Sequence, residues 1–295
     1  MDPRRTEALH DAASGLDARP LAEVARLLAE AQITAATALR AACPAIAAAA
    51  ADMARTIRTG ACLHYAAAGS SGLMAAADAQ ELGGTFSIPA GQLRIHMAGG
   101  LPSGVEMPGA TEDDTAGLDA ALAGLTSADT LIAVSASGST PYTLAACSIA
   151  RRSGATIIAI ANNPDAKLFE GADHAICLDT PPEILSGSTR MGAGTAQKIA
   201  LNMLSTLMAV ELGHVHDGMM VNLTADNAKL RARARGIVER IAGVDEARAA
   251  GALEAAGARV KPAVLIASGA PDRETAETLL DRHGGRLRPA LAQLG

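Results

Sequence analysis

Two short serine- and glycine-rich runs hold the residue types that can grip a phosphate. Gly69-Ser70-Ser71-Gly72 follows the apolar run Leu63 to Ala68, and Ser135-Ala136-Ser137-Gly138-Ser139-Thr140 follows Thr130 to Val134. A loop of this kind running into a helix offers backbone N–H groups, hydroxyls and the positive end of a helix dipole. Either run taken alone is equally well a capped helix start; their repetition behind two apolar runs favours a phosphorylated small molecule. Neither ends in Gly-Lys-Ser/Thr and neither is Gly-x-Gly-x-x-Gly, so a nucleotide loses ground. Two carboxylates stand out by position: Glu81, at the end of the apolar helical segment behind the first run, and Glu112, in a glycine-containing segment between the two runs. By type alone each fits a solvated surface as well as acid–base work, and Asp78 and Asp113 beside them could orient or repel them. Ser137 can be a nucleophile only with a histidine base, and nothing in the sequence places one there. His214-Val215-His216-Asp217 reads as a polar turn, since no second cluster completes a metal site.

The elements that must position these residues follow from periodicity. Leu21 to Ile57 carries apolar positions at helical spacing, with Pro20 at a helix start. Five short apolar runs then alternate with helical stretches: Leu63 to Ala68, Leu93 to Met97, Thr130 to Val134, Thr156 to Ile160 and His174 to Leu178. That alternation predicts an α/β, doubly wound parallel sheet, whose ligands bind beyond the carboxyl ends of the strands. A long helix is expected over Gly194 to Leu212. The tail from about Asp226 reads as a small helical domain broken at Gly243, Gly257 to Pro262, Gly269 to Pro271 and His283-Gly284-Gly285.

Composition narrows the functional classes. With 295 residues, 49% of them apolar, the chain can bury a full core without staples. Cys43, Cys62, Cys147 and Cys177 lie far apart, mostly in apolar stretches, and read as buried free thiols of a reducing compartment. The start Met1-Asp2-Pro3-Arg4-Arg5 lacks a secretory apolar region and no long apolar run occurs, so a cytoplasmic protein that spans no membrane is expected. A net charge of −6, no tryptophan and few other aromatics argue against nucleic acid. Arg231, Arg233 and Arg235 would spread over different faces of a helix as a solvated surface.

The string Ser186-Gly187-Ser188-Thr189-Arg190-Met191-Gly192-Ala193-Gly194-Thr195-Ala196-Gln197-Lys198, followed by Leu201 to Thr206, is long and specific. It resembles the signature of the N-acetylmuramic acid 6-phosphate etherases and the related glucokinase regulatory proteins, both of the sugar isomerase (SIS) fold. Thr6-Glu7, both serine runs, Asn222 to Leu230 and His283-Gly284-Gly285 extend the likeness over nearly the whole chain. The resemblance implies a five-stranded SIS-type sheet, with a helical segment over residues 1–57, the sugar-phosphate domain over 58–222 and a helical domain over 223–295. It also implies a sugar-phosphate substrate, a homodimer, and neither metal nor organic cofactor.

Residue by residue, the family's acid-bearing string is matched by Asp78-Ala79-Gln80-Glu81 and its base-bearing string by Ala110-Thr111-Glu112-Asp113. The implied reaction is a β-elimination of the D-lactyl ether followed by hydration, with Glu112 as base and Glu81 as acid. A free glutamate titrates near about 4.3, so an acid at Glu81 calls for burial or a like charge, which its apolar helix is expected to provide. Ser70, Ser71, Ser137, Ser139 and Thr140 would hold phosphate and sugar hydroxyls, with Glu183, Ser188 and Arg190 lining the same pocket; His283 could reach it. Three departures stand out: Leu73 where the family has arginine, Gly192 for lysine and Pro181 for glycine. Lost cationic contacts weaken phosphate binding by roughly 1.5–3 kcal/mol each. The same fold also serves non-catalytic sugar-phosphate regulators and aldose–ketose isomerases, which remain the alternatives.

Overall fold

The computed structural model describes residues 5–107, 110–223 and 228–294, so Met1 to Arg4 and Asn227 of the family-like strings lie outside the described residues. The chain forms two compact units: Met1–Gln80 with Gly91–Ser205, and Glu81–Ala90 with Thr206–Gly295. Helices α3 (Gly69–Phe86) and α6 (Gly192–Glu211) each start in the first unit and end in the second, so the division runs through helices rather than through linkers.

In the first unit, the five expected runs form β1 (Leu63–Ala67), β2 (Leu93–Met97), β3 (Thr130–Ser135), β4 (Thr156–Ala161) and β5 (His174–Cys177). All pair in parallel in the order β2-β1-β3-β4-β5. The chain leaves β1 toward β2 on one side and returns to β3 on the other, which makes the β1/β3 boundary the switch point where open sheets of this kind bind ligands. Both serine runs leave from these two strands. Register aligns Ala66, Ala133 and Ala159 across three neighbouring strands, and these small side chains pack with Ala146 and Ala150 of α5 (Pro141–Ser153). On the opposite face, α2 (Leu39–Arg58) buries Leu39, Ile46 and Met53 and ties Thr56 to Thr130 through a 2.7 Å hydroxyl contact. A short helix, α4 (Leu118–Ala121), completes the α5 side.

Two expectations change here. The leading helical segment is two helices, since α1 (Leu21–Thr37) and α2 meet at a 45° bend, and α1 buries little beyond Ala35. The cysteines are all free, but only Cys147 is buried; Cys43 is exposed, and Cys62 and Cys177 are partly exposed because they sit at element edges. No single described helix is long and apolar enough to cross a membrane, although the bent α1–α2 pair reaches that character when taken together.

The second unit is helical: α7 (Ala228–Ala242), α8 (Glu246–Ala255), α9 (Val260–Ala267), α10 (Arg273–Arg282) and α11 (Leu287–Leu291) close around Val238, Ala249, Leu253, Val264, Leu265 and Leu280. Asp245 and Asp272 cap α8 and α10 by accepting from the amides of Arg248 and Thr275. His214 to Asp217 falls at a hairpin of β6 (Val215–His216) and β7 (Met219–Met220), turned by Asp217 and Gly218 at φ 46° and 74°. That geometry suits Asp-Gly.

Candidate active site

The first serine run is not a loop before a helix but the first turn of α3 itself. Only Ala68 separates β1 from Gly69, and the Gly72 amide already donates to the Ala68 carbonyl at 3.0 Å. Amides in such a first turn have no intrahelical acceptor and point at whatever lies beyond the strand. Gly69 makes the tight entry with φ +54°, and a β-carbon there would stand 2.5 Å from Oε1 of Glu112. The Glu112 carboxylate therefore lies directly against the start of α3, in space that only a glycine leaves open. The Glu112 carbonyl accepts from the Tyr142 amide at 3.1 Å, which fastens its backbone to the first turn of α5. Glu112 is thus held between the two serine runs and is exposed to an incoming ligand.

The second run is organised by its own first residue, Ser135, which the sequence offered without a distinct role. Ser135, the last residue of β3 and buried, accepts from the Gly138 amide at 3.1 Å and pairs with the Thr140 hydroxyl at 2.8 Å. Ser137 Oγ in turn accepts from the Ser139 amide at 3.2 Å and from its hydroxyl at 3.1 Å. Asn163, buried at the end of β4, donates to the carbonyls of Ala136 and Ser137. Gly138 has φ +67°, and a β-carbon on it would come within 2.2 Å of the Ala166 β-carbon, so the turn is closed to larger residues. The hydroxyls of Ser137, Ser139 and Thr140 are consequently pre-ordered by one another. Ser135 was marked by its place in the serine run, and the sequence signal for Asn163 was its place just after a strand.

The long signature string opens α6. Glu183, expected to line the pocket, is buried and accepts from the amides of Gly192 and Ala193, both at 2.9 Å, so it caps α6 and stands as a positioning residue. Gly192, in place of the family's lysine, is tightly enclosed: a β-carbon would meet Glu183 Oε2 at 3.1 Å and the Ala35 β-carbon at 3.2 Å. Ser188 is half-buried and Arg190 exposed in the turn before α6, and Ser186 donates to the Glu7 carbonyl at 3.1 Å. Gln197 donates to Asn162, which donates to the Leu178 carbonyl and the Thr180 hydroxyl. Polar side chains of the signature thus act in part as scaffold.

Asp78 is tied to α6 and β1. It is buried and accepts from Asn202 and Ser205 of α6, both at 2.9 Å, and from the Tyr65 hydroxyl at 3.4 Å. Burial and the facing carboxylate push the Tyr65 phenol well above its ordinary range, so it stays a donor.

Glu81 belongs to the second unit, on α3, and is exposed. The burial expected of its apolar helix is absent, because the apolar residues Ala79 and Leu82 face inward and leave Glu81 on the outer side. Also in this unit, His283 ends α10. Lys261 is buried, donates to the Gly285 carbonyl at 2.8 Å, and has its amine brought down to about 8 by burial and by Arg259.

The chain is similar to several known proteins. The SIS domain family matches residues 106–212. An N-acetylmuramic acid 6-phosphate etherase of Deinococcus radiodurans is 40% identical over 99% of this chain and 96% of its own. One of Streptomyces avermitilis is 40% identical over 99% and 94%. Among solved structures, a phosphoheptose isomerase from Francisella tularensis is 17% identical, covering 65% of this chain and 100% of its own at a TM-score of 0.47. With identity of that degree running from end to end over a five-stranded parallel sheet, the chain belongs to the N-acetylmuramic acid 6-phosphate etherase family.

Proposed function

We propose that Glu112 is the base and Glu81 the acid of a lyase that removes the D-lactyl ether of N-acetylmuramic acid 6-phosphate. The observation that carries this reading is the Glu112 carboxylate packed against Gly69 at the switch point, between two hydroxyl-bearing helix starts. Phosphate oxygens accept from the amides and hydroxyls of Ser70, Ser71, Ser137, Ser139 and Thr140. With the phosphate so anchored, C2 of the open-chain sugar, made acidic by the C1 aldehyde, comes to Glu112.

Glu112 takes the C2 proton, the electron pair forms the C2–C3 double bond, and the C3–O bond breaks with a proton supplied by Glu81 to the lactate oxygen. Water adds at C3 with the two groups reversing roles, giving N-acetylglucosamine 6-phosphate and D-lactate. The whole sequence runs on protons alone. Glu81 is exposed in the single chain, and a second copy of the chain together with bound substrate is our proposal for its cover. Arg190 and Ser188 stand in the proposal as sugar contacts beside α6. Turnover of this substrate serves the recycling of cell-wall amino sugars, in the cytoplasm.

Lactate release from N-acetylmuramic acid 6-phosphate tests the reading. Glu112→Gln is expected to lower kcat by about 10²–10⁴-fold, and Glu81→Gln comparably, with substrate still bound. Wild-type protein that binds the sugar phosphate and releases no lactate overturns it.

A further inference from the structure

At the other end of the sheet, away from the serine runs, three metal-ligating side chains converge. Cys62 precedes β1 and Asp129 precedes β3; extending the Leu63–Thr130 register by one residue sets them side by side. His64, two residues after Cys62, projects from the same face. One ligand atom from each of Cys62, His64 and Asp129 lies within 4.8 Å of the others. We propose that Cys62, His64 and Asp129 bind a divalent transition-metal ion of the zinc type at the amino ends of β1 and β3.

The donor set is that of zinc: a thiolate, an imidazole and a carboxylate, leaving a fourth position open. Its charges also suit a divalent ion, since one thiolate and one carboxylate neutralise it, so the nearby Arg94 guanidinium meets no net repulsion. Donors held at roughly 2.0–2.3 Å on a tetrahedral ion lie about 3.5 Å apart, so a spacing that is nowhere above 4.8 Å needs to close by little more than about an ångström at most. Cys62 is partly exposed, and its thiol donates to the Gly91 carbonyl at 3.4 Å.

The surrounding groups fix the ligands as a metal site requires. Nδ1 of His64 meets Nε2 of His96 on β2 at 3.0 Å; the ring planes differ by 4° and the centroids lie 5.3 Å apart. That separation is the spacing of rings meeting edge to edge through one N–H···N bond, rather than face to face. With Nδ1 occupied, Nε2 is the donor His64 has left, and His96 plays the orienting part that second partners of ligating histidines play. Asp129 is held by the Cys62 amide at 2.7 Å on one oxygen and by the Thr126 amide and hydroxyl on the other. Oδ1 of Asp129, which accepts once, keeps a further lone pair for an ion, while Oδ2 already accepts twice.

The full chain, made without a histidine tag, is loaded with Zn²⁺ or Co²⁺, and bound metal is counted after gel filtration. One ion per chain is expected, with Co²⁺ giving a thiolate-to-metal absorption band. Cys62→Ser should abolish the band, His64→Gln should abolish stoichiometric uptake, and His96→Gln should weaken affinity by about 10–100-fold. No stoichiometric uptake by the wild type, or a band retained in Cys62→Ser, overturns the proposal. Should the variants fail to fold, mass-spectrometric mapping of wild-type alkylation decides: Zn²⁺ is expected to protect Cys62, and equal labelling with and without Zn²⁺ overturns it.

Discussion

The contact between Glu112 and Gly69 makes one glycine answerable for the position of the proposed base. Gly69→Ala would put a β-carbon 2.5 Å from Oε1 of Glu112 and hold an L-residue at φ +54°. The backbone strain costs about 1–2 kcal/mol, and displacing the carboxylate by about an ångström is expected to lower kcat on the order of 10²-fold. Parallel measurement of kcat and of the denaturation midpoint separates the two effects; an unchanged kcat would show that Glu112 is not held there for chemistry. Glu183 offers the opposite contrast. As the cap of α6, its replacement by alanine should lower stability by about 1–2 kcal/mol with KM nearly unchanged, whereas a sugar-binding Glu183 would raise KM at constant stability. Glu112 drew notice in the sequence because its string has a family counterpart, and its place against Gly69 was not legible there. The contacts of Asn163 form only when β3 and β4 meet, and the capping roles of Ser135 and Glu183 depend on how the following turn folds back, which residue type alone does not fix.

The strands were readable because a parallel sheet covered on both faces needs continuous apolar runs, and each of the five runs from Leu63 to Cys177 became a strand. Their order was not, because nothing local in Leu93 to Met97 says that β2 pairs outside β1. The helices were harder. Alanine-rich stretches such as Ala47 to Ala51 fix helicity without marking an end, so the bend at Ala38 and the passage of α3 and α6 from one unit into the other were hidden. Exposure of Glu81 was missed for a related reason: an apolar helix predicts that some face is buried, not which residue occupies it. The metal cluster escaped notice because Cys62, His64 and Asp129 come together only through the β1–β3 register. In the second unit, Lys261 on α9 makes a pH-dependent prediction. Its amine titrates near about 8 when folded against 10.5 ordinarily, so between these values the unfolded chain binds more protons and stability rises with pH. Cys147, pushed from 9 up to about 12 by burial, works the other way above pH 9. The difference between wild type and Lys261→Met isolates the lysine: the wild type should gain roughly 1–2 kcal/mol on the variant between pH 8 and 10, read from urea midpoints, and parallel curves would refute the assignment.

For the whole molecule, a homodimer that covers Glu81 predicts twice the chain mass in sedimentation, and a monomer fully active at the same concentration would remove the second copy from the mechanism. A last consequence concerns light. The chain has no tryptophan and only two tyrosines, Tyr65 and Tyr142. Tyr65 lies on β1, the strand leading into the first serine run, and the Tyr142 amide is bonded to the Glu112 carbonyl beside the second. Nearly all intrinsic ultraviolet emission therefore originates near the two serine runs, while the second unit is almost dark. Sugar-phosphate binding can be followed by tyrosine fluorescence in the unlabelled protein, the molecule carrying its own optical reporter where the chemistry is proposed to occur.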